Sequence, residues 1–259
     1  WSRTVRIASS SSSVAKWKTA LSGSQLSRMA AAAKAMGIDT TRYKTLAFVV
    51  GSFFAGLAGA LLIALWLAVW RGLLPAPSVP DSIAWHSHEM LFGYATAVIA
   101  GFLLTATRNW TGRMTLSGWP LALLALLWLA GRLLPWLPGV PPMFLAALDI
   151  ALLPLLALSL APALLGGKAL SNKLLIPLLL AMGVANALVH AQWLGWSVNT
   201  APLGIELMLY LVIWLLLFMA GRVVPFFIEK AVPGSQPRSL VWLEKTWPWL
   251  MLAWLLMVV

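Results

Sequence analysis

Long apolar runs alternate with short polar or basic segments along this chain. The runs cover Thr45–Trp70, Trp85–Thr107, Leu116–Leu134, Met143–Leu165, Lys173–Leu194 and Pro202–Val224. About 20 apolar residues in a helix span the hydrocarbon core of a bilayer, so each run predicts a transmembrane helix. A last run starts near Trp247 and meets the chain end at Val259; as a helix it covers only about 20 Å. The expected fold is an all-α polytopic membrane helix bundle over residues 45–259, with six full transmembrane helices plus a partial seventh.

The first 44 residues read differently. Residues 1–28 hold the serine run Ser9–Ser13 and the cations Lys16, Lys18 and Arg28, a composition suited to a solvated tail. Residues 29–44 predict a short helix, a turn at Gly37 and a basic approach to the first span. No early apolar core of the signal-peptide kind occurs there. Gly51, Gly56 and Gly59 in the first span are spaced for close helix packing. The connections at 135–142, 166–172 and 228–247 carry Pro or Gly and read as loops, and no soluble domain or internal repeat is evident.

Composition agrees. The chain is 61% hydrophobic and 10% charged, against about half and a quarter for soluble domains. Sixteen tryptophans suit a chain with many membrane–water boundaries. The net charge of +11 does not point to nucleic acid, because the cations sit between apolar runs. Counted by side, 16 of the 18 Lys and Arg fall with the N-terminus, and only Arg71 and Arg132 fall opposite. The positive-inside rule then puts the N-terminus in the cytoplasm. Without cysteine, disulfides, thiolate metal sites and thiolate-ligated haem are excluded, and any metal must use His, Met, carboxylate or carbonyl donors.

The chemistry gathers at one end of the second span, Trp85-His86-Ser87-His88-Glu89-Met90. The third histidine, His190, ends the fifth span; Asp149 starts the fourth and Glu206 the sixth. With Asp81 in the preceding loop, all three histidines and four of the seven acidic residues share the outer side. Ionisable groups in spans tend to face a bundle interior or a cavity. Residues two apart on a helix point about 200° from each other, so a helical His86 and His88 cannot both ligate one metal. His86 shares a face with Glu89 and Met90 instead. Either His86 bends back from a loop, or the two histidines serve separate centres. Asn186, one turn before His190, is a candidate orienting partner. Asp149 and Glu206 read as pore-lining or helix-cap carboxylates, Asn109-Trp110-Thr111-Gly112 as an anchor and helix stop, and Arg222 as a cytoplasmic anchor.

From about Leu61 onward the chain resembles the NnrS family. The match is carried by Ile83-Ala84-Trp85-His86-Ser87-His88-Glu89-Met90-Leu91-Phe92-Gly93-Tyr94, the run Ala97–Thr107, Asn109-Trp110-Thr111-Gly112, Trp128-Leu129-Ala130-Gly131-Arg132, Asn186 with His190, and Gly221-Arg222-Val223-Val224-Pro225-Phe226-Phe227. The resemblance implies a bacterial inner-membrane protein that binds haem, copper or both, linked to nitric oxide metabolism and nitrosative stress. It implies His86, His88 and His190 as cofactor and metal ligands; Met90 and Glu89, from their helical spacing to His86, are secondary metal candidates. It does not say whether the protein turns over a substrate. Family members are longer, so ligands from later helices would be missing here. Ala32–Leu61 resembles instead the LivM type of branched-chain amino-acid ABC permease, which implies an alternative role as a permease subunit docking an ATPase partner. The chain thus reads as a mosaic. The other expected partners are the lipid bilayer and nitric oxide.

Overall fold

The computed structural model describes residues 39–75, 77, 82–167 and 170–231, with isolated positions 32, 35–37, 246 and 253. The tail over 1–28, Asp81, the Arg222 side chain, most of the 228–247 connection and nearly all of the seventh run lie outside the described residues. The described elements are helical, with no strand among them. In hydrocarbon no water can satisfy backbone N–H and C=O groups, and a helix satisfies them within one segment.

Gly37 makes the expected turn, with φ at 78°. Asp39 then caps α1 (Thr40–Trp70): the Arg42 amide donates to its Oδ1 at 3.1 Å. The second expected span is a composite of α2 (Ser82–His88), a π-helix (Glu89–Ala95) and α3 (Thr96–Thr111). There follow α4 (Trp119–Leu133) with a 3-10 turn at Leu134–Trp136, α5 (Pro142–Leu165), the short α6 (Leu170–Lys173), α7 (Leu175–Trp193) and α8 (Thr200–Ala231). Helix α8 runs past the expected stop at Val224 and through Pro225; membrane helices tolerate proline because neighbouring groups resatisfy the freed carbonyl.

Among the described residues, five helices are long and apolar enough to cross a membrane: Ser82–Thr111, Trp119–Trp136, Pro142–Leu165, Leu175–Trp193 and Thr200–Gly221. Within α1 the described apolar stretch, Gly56–Trp70, is shorter. The described residues therefore support a multi-pass membrane protein with five such helices, against the six and a part expected.

The chain divides into two compact units, Trp1–Ala68 with Gly112–Met114, and Val69–Thr111 with Thr115–Val259. The second holds the five crossing helices. Helix α7 packs against both α5 and α8, and α5 also packs against α3 and α4. Leu153, Leu156, Leu160 and Leu164 form one buried face of α5 and join Leu175, Leu179, Met182 and Val189 of α7. Lipid tails are as apolar as leucine, so close packing rather than apolar burial holds such helices together. At Gly204 of α8 an added Cβ would strike the Ala185 carbonyl oxygen and come within 2.8 Å of Val189 Cγ2. Helix α4 is 6% buried over its span, against 50% for α7, so most of its surface faces outward. Its one buried residue is Gly131, beside Arg132.

Candidate metal centre

The centre starts from an irregular helix. Between His88 and Thr96 the backbone ladder runs i to i+5, which loosens carbonyls from their usual donors. Two side chains supply replacements. The Thr96 hydroxyl donates to the Leu91 carbonyl at 3.1 Å, and the Trp128 indole N–H donates to the Gly93 carbonyl at 3.0 Å. The second bond ties the π-helix to α4.

At its start the π-helix carries Glu89 into the protein. Arg132 Nη1 donates to Glu89 Oε2 at 2.9 Å, and Nη2 donates to Asp149 Oδ1. Gly93 makes room for this bridge: a Cβ there would lie 2.6 Å from both Arg132 Nη1 and Glu89 Oε2.

The second oxygen of Asp149 faces three groups. Its Oδ2 lies 3.0 Å from His190 Nε2 and 3.2 Å from His88 Nε2, and it accepts from Asn186 Nδ2 at 2.9 Å. His88 Nε2 also lies 3.0 Å from Asn186 Oδ1. Asn186 is therefore the hinge between His88 and Asp149, not the partner of His190 expected from their spacing. On the far side of the ring, His88 Nδ1 is 3.7 Å from Glu89 Oε1. Trp193 lies across both imidazoles, with ring centroids at 4.9 Å from His88 and 5.3 Å from His190. His88, Asp149 and His190 are buried, and their donor atoms all lie within 4.8 Å of one another.

Helix ends make this convergence possible. His88 is near the start of its span, Arg132 is in the last turn of α4, Asp149 is in the second turn of α5 and His190 is in the last turn of α7. All four lie at one end of the bundle. Helix α7 stops just beyond: Gly195 takes φ 75°, and the Trp196 amide reaches the Ala191 carbonyl at 2.9 Å. A positive φ at this position closes a helix with its last carbonyls satisfied. A cavity of about 380 Å³ lies against the centre, within the usual range for small-ligand sites. Its polar end is His88, Glu89, Arg132, Asp149 and His190; Trp85, Trp193, Leu145, Pro135 and Pro142 form apolar walls.

Two of the three expected histidines, His88 and His190, are thus brought together. His86 is helical, two residues from His88, and is not part of this group. Glu89 is buried against Arg132 rather than among the three donors, and Met90 is 37% exposed. Asp149, expected only to line or cap, stands between the two histidines. Glu206 is exposed and accepts from the Tyr210 hydroxyl at 2.8 Å, away from the centre. Arg132, counted in the sequence as an outer loop cation, is instead a nearly buried member of the site.

No curated protein and no solved structure matches the chain. The profile of the family described as NnrS protein matches residues 46–259, overlapping the end of the permease-like segment, and the chain belongs to the NnrS family.

Proposed function

We propose that this protein binds a copper ion through His88, Asp149 and His190 and uses it to take up nitric oxide at the outer face of the bacterial inner membrane. The observation that carries the reading is one carboxylate oxygen, Asp149 Oδ2, lying 3.0 and 3.2 Å from two buried imidazole nitrogens. Two cis ligands at about 2.1 Å from a first-row metal are separated by roughly 3.0–3.4 Å, so the donor spacing suits an ion. Two imidazoles and a carboxylate suit zinc, non-haem iron and copper; copper binds such a set most tightly in the divalent series and is one of the two cofactors that the family resemblance implies.

Haem fits less well. A haem held through both His88 and His190 needs the macrocycle between them, where Asp149 Oδ2 stands. The reading therefore rests on the ion alone.

The chain's own residues account for binding and exclusion. Without a metal, His88 and His190 each donate an Nε2 proton toward Asp149 or Asn186. To bind metal, each presents the Nε2 lone pair and carries its proton on Nδ1. Glu89 stands on the Nδ1 side of His88, where a carboxylate orients a ligating imidazole. Arg132 holds both carboxylates in place. Trp85, Trp193 and Leu145 wall the cavity with apolar surface, which favours a small neutral gas over bulk water. When bound, copper supplies an open coordination position and one-electron chemistry. The outer placement rests on the 16-to-2 asymmetry of Lys and Arg.

Copper and iron counted on the detergent-purified chain, with absorption and electron paramagnetic resonance spectra before and after nitric oxide, test the proposal. One copper per chain is expected in the parent and in His86→Ala. His88→Ala, His190→Ala and Asp149→Asn are expected to bind at least about tenfold more weakly. Full copper loading in all three of those variants would sink the assignment, and so would a Soret band with stoichiometric iron.

A further inference from the structure

The charged groups around the cavity leave an imbalance once a metal is bound. With neutral imidazoles, Glu89 and Asp149 bring two negative charges and Arg132 one positive. The metal-free centre is thus one charge negative, and a divalent ion makes it one charge positive. These side chains are nearly all buried: His88, Glu89, Asp149 and His190 are each at most 8% exposed. An uncompensated charge in such a place is costly. Three protein donors also leave a coordination position open, and the cavity of about 380 Å³ adjoins all three donors.

Arg132 lines the same cavity. Its guanidinium carries five N–H groups; Nη1 and Nη2 each reach one carboxylate and each carries a second N–H. The site would therefore offer an open metal position, residual positive charge and the second N–H of each Arg132 Nη along one cavity. We propose that the copper-loaded centre takes a small monoanion of the azide, nitrite or formate class, held between the metal and Arg132. This rests on the metal reading above. Charge selects the class: a monoanion brings the site to neutrality, whereas a dianion such as sulfate overshoots. One end of such an anion would meet the metal held by His88, Asp149 and His190, and the other would meet the Arg132 guanidinium, which lines the same cavity.

The test uses the detergent-purified full chain loaded with Cu(II), with copper counted first. Azide, formate and sulfate are titrated while the copper resonance spectrum is recorded. Azide and formate are expected to shift it and sulfate to leave it unchanged. Arg132→Lys keeps the charge but loses the planar fork, and azide binding should weaken about tenfold. Glu89→Gln removes a negative charge without removing a metal ligand, and azide binding should tighten about tenfold. These opposite shifts separate an anion seat from general damage, and Glu89→Gln alone decides if Arg132→Lys fails to fold. A copper-loaded parent with no azide response, or an azide affinity unmoved in the variants, overturns the anion seat and leaves the metal assignment standing. A chain that takes up no copper overturns both.

Discussion

Asp149 divides its oxygens between two tasks. Oδ1 meets Arg132, and Oδ2 faces His88, His190 and Asn186. The carboxylate that would bind a metal is thus held by an arginine on another helix. Removing that arginine leaves Glu89 and Asp149 as buried, unpaired charges, which typically costs about 3–5 kcal/mol. Arg132→Leu is therefore expected to lower the thermal midpoint sharply in detergent, and circular dichroism melting checks this. Gly93→Ala acts on the same bridge from the other side, since its Cβ would lie 2.6 Å from both charged partners. Overpacking of this kind costs about 1–3 kcal/mol, and a melt as stable as the parent's would show that the bridge can shift aside. Part of this was readable in advance. Two histidines in a five-residue polar cluster, with a third at a matching depth, stood out against apolar runs. Asp149 and Arg132 did not, because an acid near a helix start reads as a cap and an arginine near a helix end reads as a loop charge. Their roles depend on which helices are neighbours, and no local pattern encodes that.

At the scale of elements, the apolar runs located the helices because a bilayer leaves the backbone few alternatives. The π-helix was not legible, because Glu89–Ala95 contains no local signal that distinguishes i to i+5 bonding from an ordinary helix. Its support comes from elsewhere: Trp128, 35 residues along the chain, donates to Gly93. Trp128→Phe should cost about 1 kcal/mol through that lost bond and reduce copper retention, measured by dialysis against a chelator. Helices α7 and α8 depend on a different contact. Gly204→Ala places a methyl group against the Ala185 carbonyl and Val189. It should force α8 away from α7 at a cost of about 1–3 kcal/mol, read as faster proteolysis and a lower melting temperature. Parent-like resistance to protease would mean that the two helices pack loosely at this point.

For the whole molecule, orientation is open to a clean measurement because the chain has no cysteine of its own. Val198, between α7 and α8, is 83% exposed. Met114, between α3 and α4, is 66% exposed. In intact cells Val198→Cys should react with a membrane-impermeant maleimide, while Met114→Cys should react only after permeabilisation. The reverse pattern would invert the topology and put the centre on the cytoplasmic side.

The ion pair between Arg132 and Asp149 also bears on how the chain enters the membrane during synthesis. The partners are 17 residues apart, on α4 and α5, joined by a short turn. An unpaired arginine or aspartate costs about 2.5–3.5 kcal/mol at the centre of an inserting helix. As a hairpin, α4 and α5 can cross together with these charges neutralising each other, before α7 has been made. Each charge thereby eases the passage of the other, and Asp149 can meet Arg132 before the helix that carries His190 has left the translocon.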